Sequence, residues 1–199
     1  MQKVKLIDEA YSTFLHRNRK IKLARAHPDQ ANQMHLYYLR NKVDFEHWSS
    51  DFAWVLNFEF GWARLLKQRV RACDQKQALH WVILSPVEPQ EIIGSINLIA
   101  MDPHHKVFNL GYAMDQQWRR QGIMNLALKR SLKEAFCLIP FQEIEASCQP
   151  ENVASLRTLT GLGFVMREPP HHEKNLMIQG RLCKHHCLVF GSAGSLTES

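Results

Sequence analysis

The sequence predicts an α/β domain of α+β character around one mixed sheet. Three observations predict it. Strand-like segments at 19–25, 78–84, 91–100, 107–114 and 142–148 are interleaved with helical ones at 28–40, 50–72, 122–138 and 152–161. Three strands follow one another before the third helix, and a strand then separates the last two helices, an order that neither a helical bundle nor an all-β sandwich has. No linker and no internal repeat divides the 199 residues, a length that buries a full core without disulfide or metal staples.

Residues 1–18 show no clear pattern and are expected to form an N-terminal extension to a domain spanning 19–190. In RKIKLAR (19–25), Ile21 and Leu23 alternate with charge, the mark of a half-buried strand. His27-Pro28-Asp29 supplies a helix start, and Met34, Leu36, Tyr37, Tyr38 and Leu39 an apolar face as far as Arg40. The aromatic stretch Phe45, Trp48, Phe52, Trp54, Phe58, Phe60 and Trp62 runs into Leu65-Leu66 with Lys67, Arg69 and Arg71 interleaved. That pattern predicts an amphipathic helix over 50–72. ALHWVIL (78–84) reads as a strand, Pro86 to Gln90 as a turn, and EIIGSINLIA (91–100) as the next strand, with Gly94 at a bulge. A loop at Asp102-Pro103-His104-His105 leads to a strand from Val107 to Met114. Gly122 to Leu138 carries Met124, Ala127, Leu128, Leu132, Ala135 and Phe136 on one side and Lys129, Arg130, Lys133 and Glu134 on the other, so it reads as a long helix. Ile144, Ala146 and Cys148 alternate with polar residues in the strand 142–148, and Asn152 to Gly161 makes a short helix. Residues 163–167 and 182–190 are expected to form a closing hairpin, and 191–199 a disordered tail.

Composition excludes several classes. Ten Phe, five Trp and four Tyr exclude a wholly disordered chain. No apolar run approaches the ~20 residues of a membrane helix, and the first ten residues lack the apolar core of a secretory signal, so no membrane partner is expected. The cysteines (Cys73, Cys137, Cys148, Cys183 and Cys187) are odd in number and form no close framework, which predicts reduced thiols and a cytoplasmic home. The net charge of +6 suits an anionic ligand, whether a phosphate-bearing cofactor or nearby RNA, or solubility alone.

The segment richest in chemistry is VFNLGYAMDQQWRRQGIMNL (107–126). A strand ends near Met114, a polar loop carries Arg119, Arg120, Gln121 and Gly122, and a helix begins at once. Backbone N–H groups at a helix start converge on one spot and favour an anion such as a pyrophosphate. Gly122 allows close approach and the arginines add charge. From these residues alone, an anion site and a plain strand–turn–helix link with a surface Arg pair stand level.

Arg119-Arg120-Gln121-Gly122-Ile123-Met124 resembles the acetyl-CoA loop of the GCN5-related N-acetyltransferases (GNATs), [QR]-x-x-G-x-[GA]. Met124 departs from the small last residue and is similar to the RimJ branch. Pro150-Glu151-Asn152-Val153-Ala154-Ser155, followed by Leu162-Gly163-Phe164, resembles the P-x-N-x-x-S … L-G-F stretch of the RimJ/RimL group. Weaker likenesses are Glu91-Ile92-Ile93-Gly94, the opening Arg19 to Trp48, and Gly180-Arg181 to His186, where His185 stands in place of the family's Asp. The resemblance covers roughly residues 19–190.

The resemblance implies a single mixed sheet with helices on both faces, open at a V-shaped parallel splay between 109–114 and 143–148. It implies that the backbone near Ala113 and Met114 holds pantetheine and faces the acetyl carbonyl of acetyl-CoA. Arg119, Arg120, Gln121, Gly122, Ile123, Met124 and Asn125 would hold the pyrophosphate. Asn152 would hydrogen-bond the pantetheine, and Ser155, one turn further on, would protonate or hydrogen-bond the departing thiolate. Read without the resemblance, Asn152 is the N-cap of the helix it opens and Ser155 a residue bonding back to a carbonyl. His80, Glu59, Glu145, Glu168 and Glu173 are candidate bases among which the sequence does not choose. Trp48 is a candidate for the amine pocket, which the family builds from the aromatic stretch.

Cys183, His185 and Cys187 share a strand face, with His172 as a fourth candidate zinc ligand, but they lack the turn spacing of structural zinc sites, and packing is the favoured reading. No metal is expected. The implied reaction is direct acetyl transfer from acetyl-CoA to a primary amine in a ternary complex. The acceptor implied is a protein N-terminal α-amine, with a ribosomal protein as the family's example, and small amines or antibiotics stay open. Two other classes remain: a non-catalytic acyl-CoA sensor, and an RNA- or ribosome-binding protein using Arg17, Arg19, Lys20, Lys22, Arg25 and the 64–71 cluster. Direct nucleic-acid readout is not expected.

Overall fold

The computed structural model describes residues 11–17, 19–48, 58–102, 106–169, 171, 173–178 and 180–191. Strands β1 (Tyr11–His16), β2 (Arg19–Arg25), β3 (Ala78–Leu84), β4 (Ile92–Asp102), β5 (Val107–Met114), β6 (Glu143–Cys148), β7 (Val165–Met166), β8 (Glu173–Ile178) and β9 (Arg181–Gly191) form one mixed sheet. Its order is β1-β2-β3-β4-β5-β6-β9-β7, and β8 pairs with β9 as well. Helices α1 (Ala31–Trp48) and α2 (Glu59–Asp74) cover one face, and α3 (Ile123–Leu138) and α4 (Val153–Gly161) the other. β3 is buried at every position, as a central strand covered on both faces must be.

Each sheet face has its own core. Leu79, Trp81, Ile93, Ile96, Leu110, Leu128 and Leu132 belong to the larger one, under α3 and α4. Tyr37, Tyr38, Phe45, Trp62, Leu66, Val82 and Leu84 belong to the smaller, under α1 and α2.

The α1 entry is capped by His27, whose Nδ1 accepts from the Asp29 N–H at 3.3 Å while Gln30 Oε1 accepts from the His27 N–H at 2.8 Å, with Pro28 opening the turn. α1 continues eight residues beyond the Arg40 end expected from the sequence. The apolar period breaks at Asn41, yet Asn41 is buried, and its amide donates to Tyr37 O and to Asp115. α2 begins at Glu59; residues 50–57 of the expected helix lie outside the described residues, as do His104, His105, His172 and 192–199.

Three expectations change. The segment 1–18 is not only an appendage, because Tyr11–His16 pairs antiparallel with β2 and adds an edge strand to the sheet. The expected two-strand closure contains a further strand, β8, which forms the hairpin with β9, while the two residues of β7 pair further along β9. The bulge lies beside Gly94: the register jumps from Ile83↔Gly94 to Leu84↔Ile92. Gly94 is needed for closeness, since a Cβ there would sit 2.9 Å from Ile83 Cδ1 and 3.2 Å from Ala113 O.

The feature that makes a site is the meeting of β5 and β6. They run parallel and pair only at Val107↔Glu143, Phe108↔Ile144 and Asn109↔Glu145. Beyond Asn109, β5 stays with β4 and β6 stays with β9, so the two strands part.

Candidate functional site

Where β5 leaves β6, its outward polar groups lose their partners. In an antiparallel ladder alternate residues bond across, and those between face away. The Asp115 N–H donates to Ile93 O at 2.9 Å, so Ala113 faces β4 and Met114 faces the splay. Ala113 O accepts from the Tyr37 hydroxyl at 3.0 Å, and Met114 O from Arg119 Nε at 2.9 Å. Of the two positions expected to face a ligand, Met114 is the one whose N–H is turned into the opening.

The chain after β5 is held by α1. Asp115, 2% exposed, accepts from Arg40 Nε, from Asn41 Nδ2 at 3.1 Å and from the Gln117 N–H at 3.0 Å. Burial alone would raise its pKa, but Arg40, Asn41 and the Gln117 amide together hold it below the ordinary carboxylate value. Asp44 accepts from the two terminal guanidinium nitrogens of Arg119, and that pairing lowers its pKa.

The two arginines of the loop therefore differ. Arg119 ties the loop to α1, whereas Arg120, at φ +57°, is exposed and has no carboxylate partner among the described residues. Gly122 is the N-cap of α3 at φ +79°, a conformation that suits glycine. The first backbone bond of the helix is from the Leu126 N–H to Gly122 O. The amides of Arg120, Gln121, Gly122, Ile123, Met124 and Asn125 have no backbone acceptor among the described residues. Ile123 is buried in the larger core and Met124 packs against it, which anchors the loop while leaving its amides at the helix end. Gln121 donates to Gln117 O at 3.1 Å.

On the other wall, Asn152 caps α4: its Oδ1 accepts from the Ser155 N–H at 3.1 Å. Ser155 Oγ lies 2.9 Å from the Tyr112 hydroxyl, a bond that bridges α4 and β5 across the splay. Burial raises the Tyr112 pKa to about 12, partly offset by Ser155. Cys148, buried on β6, also faces Ser155, and burial raises its thiol pKa. Gln149 Nε2 donates to His47 O at 3.2 Å, which brings the end of α1, with Trp48, beside the loop after β6.

The candidate bases are scattered. His80 is buried on β3 and bonded to Asn97 at 2.9 Å; burial and Arg69 lower its pKa to about 3. Glu145 stands at the fork but is bound by Lys174 and Arg167. Glu173 pairs with Lys184, and Glu59 and Glu168 are exposed. On β9, His185 Nδ1 lies 3.0 Å from Cys183 O, while Cys187 is buried.

Two residues near the site carry no sequence signal of it. Tyr112 shares the core-facing parity of Phe108 and Leu110, and its hydroxyl is the only hint that this position needs a polar tip. His16 lies against Gly122, where a Cβ would come 3.4 Å from its ring, and its buried Nε2 has no hydrogen-bond partner among the described residues.

The acetyltransferase (GNAT) domain family matches residues 20–165. This chain belongs to the GNAT family. Among curated proteins, the uncharacterized N-acetyltransferase YjdG of Bacillus subtilis (strain 168) is 26% identical to this GNAT chain over 86 residues, 43% of its length. The chain spans about half (51%) of that relative. Among solved structures, the ribosomal-protein-S5-alanine acetyltransferase from Vibrio fischeri superposes with a TM-score of 0.81 at 22% identity, covering 92% of this chain and 97% of that one. Mycobacterium smegmatis RimJ in complex with CoA-disulfide gives 0.78 at 18%, covering 92% and 87%. The ribosomal L7/L12 α-N-protein acetyltransferase RimL in complex with coenzyme A gives 0.76 at 16%, covering 90% and 98%. The GNAT chain thus shares the fold of the RimJ/RimL acetyltransferases. No helix among its described residues is long and apolar enough to cross a membrane.

Proposed function

We propose that this chain transfers an acetyl group from acetyl-CoA to a primary amine, with a protein N-terminal α-amine as acceptor. The observation that carries the reading is the parting of β5 and β6 beyond Asn109, with unsatisfied amides along one wall and at the α3 start. These features fit acetyl-CoA. The amides of residues 120–125 and the exposed Arg120 suit a pyrophosphate, and Gly122 leaves the room that a side chain would fill. When bound, acetyl-CoA supplies an activated thioester carbonyl to the attacking amine.

The chain's own groups then have distinct tasks. The Met114 N–H donates to the carbonyl oxygen as it gains charge. Asn152 holds the pantetheine while capping α4. Ser155 would pass its hydroxyl proton to the leaving sulfur and regain one from the water that takes the amine's proton, and Tyr112, hydrogen-bonded to it, would orient that hydroxyl. An α-amine with a pKa near ~8 sheds its proton to water at neutral pH, so no dedicated base is required for a protein N-terminus; a lysine near ~10.4 would need one. Glu145 stands at the fork already ion-paired with Lys174 and Arg167, which suits an acceptor that needs no dedicated base. The neighbours described as ribosomal-protein acetyltransferases make a ribosomal protein N-terminus the acceptor to try first.

Two measurements test this. Acetyl-CoA at 100-fold above its dissociation constant should raise stability by about 2.7 kcal/mol, where NAD and ATP do not. Mass spectrometry should then find a 42-Da (about one acetyl group) gain on the N-terminus of a peptide beginning as a ribosomal protein does, and none on a blocked peptide carrying an internal lysine. Stabilisation without transfer to any amine would leave a cofactor sensor instead.

A further inference from the structure

The fold uses several of its basic residues internally. Arg25 pairs with Glu134 and lies 4.8 Å from the Trp81 ring centroid, Arg40 is bound to Asp115 and Glu91, and Arg119 to Asp44. Arg167 and Lys174 meet Glu143 and Glu145. Even Arg19, on the edge hairpin, leans on the Trp118 ring at 6.0 Å. Two of the basic residues from 17 to 25 that suggested an RNA surface, Arg19 and Arg25, are thereby engaged.

α2 is different. Phe60, Arg64, Lys67 and Arg71 follow one another at intervals of four, three and four residues, which at ~100° per residue places them in one stripe along the helix. All four are exposed, whereas Trp62 and Leu66 on the opposite side are sunk in the core. None of the three cations has a carboxylate partner among the described residues, and the acidic residues of α2, Glu59 and Asp74, sit at its two ends. Like charges three and four residues apart destabilise a helix, so the stripe is a cost to folding that no carboxylate among the described residues offsets. At its N-terminal end Phe60, 64% exposed, stacks on Phe58 with ring centroids 5.4 Å apart and planes 16° from parallel. Phe60, Arg64, Lys67 and Arg71 border an open hollow of about 420 Å³.

We infer that the outer face of α2 is a docking surface for single-stranded RNA, independent of the acetyl-transfer reading. A row of cations tracks a phosphate backbone, and an exposed aromatic accepts a base by stacking whatever its sequence. An acidic polypeptide would use the cations but has no planar group to match the phenyl pair. A lipid surface would need an apolar helix face to insert, and that face of α2 is already buried. The surface recognises charge and stacking and reads no base edges.

The test measures binding and not turnover. Fluorescence anisotropy with a short labelled oligouridylate, titrated over salt, should give a slope of log K against log[salt] near about −2, from three phosphates at ~0.7 each. The variant Arg64→Ser/Lys67→Ser/Arg71→Ser should flatten that slope and weaken low-salt binding at least about tenfold. Phe60→Ala should weaken binding about fivefold or more and leave the slope unchanged. A native circular-dichroism spectrum and a cooperative melt with a midpoint no lower than that of the unmodified protein establish that both variants are folded. The inference is overturned if the unmodified protein ignores oligouridylate at low salt, or if the triple variant keeps the slope. It is equally overturned if Phe60→Ala has no effect while polyaspartate competes as well as RNA, which makes the face an acidic-protein site, or if anionic vesicles bind in preference to RNA.

Discussion

The two faces of the sheet are closed by different means. Under α3 and α4 the seal is mostly carbon: Leu79, Trp81, Ile96, Leu98, Leu110, Leu128 and Leu132 lie together, and the Arg25–Glu134 pair, which also takes the Trp81 indole N–H, sits at their half-exposed rim. Under α1 and α2 the apolar cluster is smaller, and buried Asn41 and Asp115 sit beside it with Arg40 and the Asp44–Arg119 pair. A carbon seal tolerates small rotations of a helix, whereas a charged one fixes direction, because each donor needs its acceptor at one place. The face with the charges is the one that must hold the loop after β5 in register with the splay. The comparison therefore separates a face that makes the fold from a face that aims the site.

The largest effect should come from breaking the aiming face. Asp115→Ala leaves Arg40 and Asn41 without their common acceptor and should destabilise the protein by about 3 kcal/mol, measured by urea unfolding. Leu128→Ala on the carbon face should cost about as much. pH tells them apart. The pKa values of Asp115 and Asp44 are lower in the folded protein than in the unfolded chain, so the stability they confer is complete above the unfolded value near 3.8 and is lost as pH falls through the folded ones. Asp115→Ala should flatten the acid limb of the stability curve, and Leu128→Ala should shift it downward without changing its shape. Equal acid limbs in the two variants would dissolve the distinction between the faces.

Next in size is Ser155→Ala, on the carbon face but at its edge. It should lower turnover about 100-fold while the thermal response to acetyl-CoA stays. Tyr112→Phe removes one hydrogen bond from the same hydroxyl and should lower turnover about fivefold with the melting midpoint little changed. If Tyr112→Phe proves as severe as Ser155→Ala, Tyr112 and not Ser155 is the proton donor.

The same contrast explains what the sequence revealed. β5, α3 and α4 were legible because their apolar residues recur with an unbroken period and end in plain punctuation, Gly122 before α3 and Asn152 before α4. The loop proposed to hold the cofactor is legible because the free amides it offers follow from a Gly at a helix start. α1 was cut short because Asn41 and Asp44 interrupt its apolar period, and both are polar for the sake of partners some 75 residues away. The Tyr112–Ser155 bond joins residues 43 apart and leaves no local trace. β1 and β8 are edge pieces with few buried positions, so alternation had little to register. What one sequence hides here is what a distant residue must complete.

The smallest effect is the sharpest test of the comparison, because it concerns neighbours. Arg119 and Arg120 look alike in sequence, and one belongs to each role. Arg119 spans Met114 O and Asp44, so Arg119→Ala should lower the melting midpoint and weaken acetyl-CoA together, as the loop loses its tie to α1. Arg120 has no such tie. Arg120→Ala should leave the midpoint of the free protein unchanged and raise the acetyl-CoA dissociation constant about threefold, the loss of one exposed charge-assisted contact. That loss should shrink further as salt rises, since an exposed charge is screened, while the Arg119→Ala defect should persist, because it is a defect of position. Calorimetric titration of acetyl-CoA at two salt concentrations reads both. If Arg120→Ala lowers the midpoint and Arg119→Ala does not, the charged face is not what aims the loop.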